Sequence, residues 1–78
     1  MRDSDERLQA IFRGVFSLPG DADVSRCRQI SMPEWDSLAH VSLVAAIESE
    51  FGLSVDTADS IGLTSYESAR LYLEELGV

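Results

Sequence analysis

The sequence contains no lysine and only one cysteine. All six of its cationic side chains are arginine, and they are opposed by fourteen Asp and Glu residues, which gives a formal net charge of −8. Such a chain is repelled by phosphate backbones and anionic lipid head groups, so we expect it to bind neither nucleic acid nor membranes. The single thiol, Cys27, excludes an internal disulfide framework and a zinc site made from several cysteines.

Long apolar runs and aromatic residues are also scarce. No segment approaches the roughly 18 apolar residues that a membrane-spanning helix needs, and no N-terminal signal pattern is present. We therefore expect a cytoplasmic protein without membrane insertion. Hydrophobic residues make up 45% of the 78 residues but aromatic residues only 8%, so the core should be mainly aliphatic. The length suits one small domain, 1–78, which we expect to be a monomer.

What the sequence does contain is helical periodicity. From Ser4 to Ser17 the apolar residues recur at the i, i+3, i+4 spacing of an amphipathic helix, with Asp3 or Ser4 available as its N-cap. Leu18-Pro19-Gly20 should stop this helix. The polar stretch that follows, to about Asp36, is predicted to be a long ordered loop held by four apolar anchors: Val24, Ile30, Met32 and Trp35.

A second helix is predicted from Ser37 to Phe51, closed by Gly52 at the C′ position. Its buried stripe is expected to begin at Leu38 and to include Val41, Val44, Ile47 or Ala45, and Phe51, with Leu43 at the margin. Its exposed side would carry His40, Ser42, Glu48, Ser49 and Glu50.

Two further helices are predicted near the C-terminus. A short one is expected around Asp59 to Ile61, and a longer one should be opened by a capping box of Thr64 with Glu67 and closed by Gly77. Ala69, Tyr72, Leu73 and Leu76 would form its inward face. The predicted fold is therefore all-α, a four-helix bundle of three main helices and one short helix, with a long loop between the first two.

The triplet Asp36-Ser37-Leu38 has two interpretations. Asp and Ser are preferred N-cap residues, so the triplet could simply start the second helix. Alternatively, a serine at a helix start after a long loop exposes its hydroxyl to a modifying enzyme. A phosphodiester placed there would meet free N–H groups and the positive end of the helix dipole, so Ser37 suits a phosphate-linked prosthetic group.

Catalysis by these residues is the weaker hypothesis. His40 lies three residues after Ser37 and so on the same side of the helix, but the sequence offers no third member of a triad. No nucleophile-activating pattern surrounds Cys27, and the role of a small half-buried hydrophobe or an inert exposed thiol is favoured for it. We expect no catalytic residue and no metal site.

The block W-D-S-L-A-H-V-S-L-V-A-A-I-E-S-E-F, from Trp35 through Phe51, is followed by G-L-S-V and resembles acyl carrier proteins. In that family the serine of a D-S-L motif opens a helix and carries 4′-phosphopantetheine, and the helix ends in a run like E-x-E-F-G. The similarity extends over the order of predicted helices in the whole chain.

This resemblance implies a carrier with no catalysis of its own, in an acyl-carrier-like bundle. A phosphopantetheinyl transferase would attach the arm to Ser37 from coenzyme A, with Asp36 and Leu38 completing the attachment motif. The thiol of the arm would carry acyl groups as thioesters between acyl-loading and acyl-transfer enzymes. Those partners would have basic docking surfaces, and the matching docking positions are Asp36, Leu38, Val41 and Glu48.

The sequence also departs from the family pattern. Carriers of fatty-acid synthesis usually have acids where this chain has Ala39, Ser42 and Ser49, and small residues where it has Glu34 and Trp35. The resemblance therefore favours stand-alone carriers of specialised pathways, such as those for polyketides or modified lipids. An aminoacyl or peptidyl carrier and an unmodified helical protein-interaction module remain open.

Overall fold

Four helices form the fold. The computed structural model describes residues 3–78, so the first two residues of the predicted domain lie outside the described part. The helices are α1 (Asp3–Phe16), α2 (Ser37–Phe51), α3 (Thr57–Gly62) and α4 (Tyr66–Glu75). Between residues 3 and 78 there is no β-strand, only one isolated bridge that joins Arg28 to Ser65. The predicted all-α bundle of three main helices and one short helix is confirmed.

The core is built around the contact between α1 and α2, the most extensive one between two helices. α1 buries Leu8, Phe12 and Phe16, which are four residues apart and therefore share one face of the helix. α2 contributes Leu43 and Ile47, both fully inaccessible to solvent. The prediction that α1 is an amphipathic helix is confirmed, although it already includes Asp3 and Ser4, so neither residue is its N-cap.

The predicted buried stripe of α2 is wrong at its start. Leu38 is 75% exposed and Val41 is 65% exposed, whereas Leu43, which was expected at the margin, is fully buried. From Leu38 to Ile47 this helix is apolar on nearly every side, with His40 and Ser42 as the exceptions. Its periodicity therefore could not identify the face that α1 covers.

The loop between α1 and α2 is ordered by backbone pairing and by buried side chains. It contains two 3-10 turns, Val24–Arg26 and Gln29–Ser31. The Gln29 N–H donates to the carbonyl of Thr64 at 2.8 Å, and the Tyr66 N–H donates to the carbonyl of Cys27 at 2.9 Å. These two bonds attach the middle of the loop to the start of α4.

Three of the four predicted loop anchors are confirmed. Val24 and Trp35 are buried, and Met32 packs against the core. Ile30 is the exception, being 92% exposed. It lies in the second 3-10 turn, which buries none of its residues.

The ends of the helices also differ from prediction in places. α3 extends beyond the expected Asp59–Ile61. α4 is capped by Ser65, whose hydroxyl accepts from the Ser68 N–H while the Ser68 hydroxyl accepts from the Ser65 N–H. The predicted capping box of Thr64 with Glu67 is therefore wrong.

Three other residues near helix ends, Glu67, Leu76 and Gly52, can be compared with prediction. Glu67 forms an ion pair with Arg70, with Oε1 and Nη2 2.7 Å apart. Leu76 is exposed instead of facing inward, because α4 has ended before it at Glu75. At the other end of α2, Gly52 adopts a left-handed φ of 65° and its N–H donates to the Glu48 carbonyl, so the predicted glycine cap is confirmed.

Two leucines of α2 test which face is buried. We expect Leu43→Ala to lower the free energy of unfolding by about 2 to 5 kcal/mol, because it leaves a cavity against α1. Leu38→Ala on the same helix should change it by less than about 0.5 kcal/mol, because that side chain is exposed. Urea denaturation of both variants measures the difference, and equal losses would contradict this orientation of α2.

Candidate functional site

Ser37 is the first residue of α2 and is exposed. The helix is capped by the residue before it: Asp36 has extended backbone angles, and its Oδ1 accepts the N–H of Ala39 at 2.9 Å. The first bond within the helix runs from the His40 N–H to the Asp36 carbonyl. The Ser37 hydroxyl is therefore not needed as the helix cap, and the amides of the first turn precede the regular helical bonds.

Exposed apolar side chains follow Ser37 on the same helix. Leu38 and Val41 are three residues apart, so they are neighbours on the surface of α2. Ile61, 70% exposed, is on α3 directly after Ser60, which bonds to His40. Leu38, Val41 and Ile61 are the large exposed apolar residues of α2 and α3, and we refer to them as the exposed apolar residues. Large exposed side chains of this kind are what a docking surface requires.

The carboxylates of α2 and its cap each have a partner within the protein. Besides the Asp36 bond to Ala39, the Glu48 Oε2 accepts the N–H of Val55 at 2.8 Å. Glu50 pairs with Arg7 at 2.6 Å between Oε2 and Nε. Asp36 and Glu48 thus stabilise the two ends of α2, and their role in docking stays a prediction.

His40 is not on the exposed side of α2, as its position in the sequence suggested, but half-buried. The indole Nε1–H of Trp35 donates to its Nδ1 at 3.0 Å, and its Nε2 lies 2.8 Å from the carbonyl oxygen of Ser60. It therefore connects the loop before α2 to α3. The spacing of Trp35 and His40 gave no signal of this contact, since Trp35 precedes the helix and its orientation depends on the core.

These partners determine the tautomer of the neutral His40 ring. An indole N–H can only donate and a carbonyl can only accept, so the Nδ1 of the ring is the acceptor and its Nε2 carries the proton. The hydroxyl of Ser60 is 3.3 Å from this Nε2, but a protonated Nε2 cannot accept its proton. His40 is therefore not arranged as a general base for Ser60, and both of its nitrogens have partners other than Ser37.

Cys27 is buried in the core. Burial raises the pKa of its thiol, and the negative charges of Asp23 and Glu34 raise it further. A raised pKa lowers the fraction of reactive thiolate. This environment is that of a small hydrophobic core residue.

Neither a metal-binding cluster nor a membrane-spanning helix is present in the part of the chain that the structure describes. Residues 3–78 contain no group of three or more His, Cys, Asp or Glu side chains placed to hold a metal ion. In the same part of the chain, no helix is both long enough and apolar enough to cross a membrane.

No protein-family model, curated protein or solved structure matches this chain. Inference about its function therefore depends on the site residues and on the sequence resemblance around Ser37.

Asp36 and Ser37 are expected to contribute differently to the stability of α2. Asp36→Ala should lower the free energy of unfolding by about 1 kcal/mol, because the Ala39 N–H loses its acceptor. Ser37→Ala should leave it nearly unchanged, because Asp36 already caps α2. Thermal and urea unfolding of the two variants measure this, and a larger loss for Ser37→Ala would show that serine is the cap.

The position of Cys27 predicts slow alkylation. At pH 8, iodoacetamide should modify the folded protein at least about tenfold more slowly than the urea-unfolded chain, because burial blocks access and raises the thiol pKa. The thiol pKa is raised only in the folded state, so the folded protein keeps its proton while the unfolded chain loses it. The free energy of unfolding should therefore fall as pH rises above the usual thiol pKa of about 8.5. Cys27→Ala should show a smaller alkaline loss of stability, and equally fast alkylation of both states would contradict the burial.

Proposed function

We propose that this protein is a carrier that bears 4′-phosphopantetheine on Ser37 and shuttles acyl groups as thioesters between partner enzymes. The pathway would be a lipid, polyketide or other specialised biosynthetic pathway, in the cytoplasm. One observation carries the proposal: Ser37 is exposed at the start of α2 while Asp36 supplies the cap. The hydroxyl of a D-S-L motif is thus available for modification without loss of the helix end.

The environment of Ser37 fits a phosphodiester. The first turn of α2 contains no acidic residue, and the acidic cap Asp36 already has a hydrogen-bond partner in Ala39. The N–H groups of that turn and the positive end of the helix dipole favour an added negative charge. This fit, together with the resemblance from Trp35 to Phe51, supports attachment at this serine.

When attached, the arm would supply a thiol that carries the acyl group. The residues of this chain would then bind partners and keep α2 in place. Leu38 and Val41 would make apolar contacts with a partner enzyme, and Asp36 and Glu48 would add negative charge opposite basic side chains. The net charge of −8 makes attraction to a basic surface favourable over longer distances.

The contacts of His40 argue against a hydrolase that uses Ser37. Both imidazole nitrogens are hydrogen-bonded elsewhere, to Trp35 and to Ser60. A base for Ser37 would have to give up one of these bonds. The exposed apolar residues would also suit an unmodified interaction module. An aminoacyl or peptidyl carrier would use the same serine.

Intact-mass measurement tests attachment. Incubation with coenzyme A, magnesium and a broad-specificity phosphopantetheinyl transferase should add the mass of one phosphopantetheine to the folded protein. Ser37→Ala should abolish the gain, because the acceptor hydroxyl is lost. Ser42→Ala, at another exposed serine of α2, is the matched control and should be modified normally.

The other outcomes identify the alternatives. If the folded protein gains no mass with several transferases, the carrier proposal fails and the interaction module is favoured. Hydrolysis of model esters that is lost in His40→Ala would point instead to an enzyme. For the modified protein, loading with acyl or aminoacyl groups by candidate ligases would distinguish the two kinds of carrier.

A further inference from the structure

His40 links three elements through two hydrogen bonds. Trp35 in the loop donates to the ring at Nδ1, and the ring donates from Nε2 to the carbonyl of Ser60 in α3. Because one partner can only donate and the other can only accept, both bonds exist together only in the neutral ring with its proton on Nε2. The attachment of α3 to α2 therefore depends on one titratable side chain, His40, in its neutral form with the proton on Nε2.

A second proton on this ring has no acceptor. Protonated imidazole donates from both nitrogens, so its Nδ1–H would point at the indole N–H of Trp35. A buried donor without a partner is unfavourable. The indole cannot easily withdraw, since Trp35 is only 3% exposed and packs against Phe12 and Phe16 with ring centroids 5.7 and 5.0 Å apart.

The imidazole is consequently the group that moves. It is half-buried on the surface of α2, and rotation toward solvent would relieve the conflict with the indole and break its bond to Ser60. None of the residues of α3 is buried, and its contact with the core is made by Leu63, the residue directly after it, which is buried. The hydroxyl of Tyr72 donates to Asp59 across 3.3 Å, which is a long hydrogen bond from α4.

The charged residues nearest in sequence to Trp35, His40 and Ser60 do not replace the lost bond. They are Glu34 in the loop, Asp36 at the start of α2, and Asp56 and Asp59 at α3. Hydrogen bonds already occupy one oxygen of Asp36, Asp56 and Asp59, and in residues 3–78 no carboxylate forms an ion pair with the ring. All four are acidic, so a charged His40 meets no repelling cation there.

We propose that His40 is a proton-sensitive latch that holds α3 on α2 while it is neutral and loosens α3 when it is protonated. Histidine is the side chain that normally changes charge between about pH 5 and 8, so this is the range in which to test the latch. This loosening would move Ile61 and thereby alter the exposed apolar residues. The latch goes beyond carrier function and does not depend on it, since Ser37 takes no part.

Nuclear magnetic resonance of the unmodified protein tests the latch. At pH 8 the ¹⁵N shifts of the ring should identify the Nε2–H form. Between pH 8 and 5.5, hydrogen-exchange protection of the Ser60 and Ile61 amides should fall by about fivefold as the ring gains a proton, the loss expected for one hydrogen bond. Protection of the Phe12 amide in α1 should not change.

Three variants make the test specific. His40→Gln keeps a donor for the Ser60 carbonyl but cannot titrate, so α3 protection should become independent of pH. Trp35→Phe keeps an aromatic ring in the core without the N–H, so the change should fall below about twofold. Ser60→Ala keeps the carbonyl and loses only the hydroxyl, so the wild-type response should remain.

Three results would overturn the latch. They are an Nδ1–H ring at pH 8, a wild-type response below twofold, or the full response in His40→Gln. If His40→Gln does not fold, the ring titration of the wild type and the response of Trp35→Phe decide the question. None of these measurements involves coenzyme A, so failure of the latch and failure of phosphopantetheine attachment can be told apart.

Discussion

The burial of Trp35 against α1 fixes the start of α2 and the contacts that follow from it. Its indole packs against Phe12 and Phe16 of α1, and it directly precedes Asp36, the cap of α2. Burying so large a ring gives a strong apolar contribution, which holds the end of the long loop in one place. The start of α2, and with it the position of Ser37, is therefore fixed by a side chain that belongs to neither helix.

The same indole extends this order to α3 through its polar edge. Buried tryptophan usually needs a partner for its N–H, and here the partner is His40. The second nitrogen of the imidazole then bonds to Ser60 in the shortest helix of the bundle. An apolar contact in the core and two hydrogen bonds near the surface thus form one connected unit from α1 to α3.

The tasks at the start of α2 are divided among adjacent residues. Trp35 packs in the core, Asp36 caps the helix, and Ser37 and Leu38 are exposed to solvent. Farther along, Glu48 and Glu50 bond within the protein. A modified carrier needs an exposed hydroxyl beside exposed apolar side chains, and here the helix cap is a different residue, Asp36. This division supports the proposed attachment at Ser37 more than the triplet D-S-L does by itself.

Local chemistry in the sequence predicted the helices well. The bounds of α2 agree with prediction because Asp36 and Gly52 are strong end signals, and those of α1 differ by one residue at each end. The start of α4 was harder because Thr64 and Ser65 are both good caps, and only the pairing of the loop with Thr64 and Tyr66 leaves Ser65 in the cap position. Ile30 was also misplaced, because its apolar side chain lies in a 3-10 turn that buries none of its residues.

Caps and periodicity act between residues close along the chain, so they were enough to predict the helix-rich fold, most helix ends and Ser37 as the candidate site. The packing of the helices places Leu43 inside and Leu38 and Val41 outside, because α2 is apolar on most sides and α1 covers just one of them. Only this packing could place His40 between Trp35 and Ser60, twenty residues farther along the chain. Contacts of that kind depend on how elements pack, and a local pattern does not encode them.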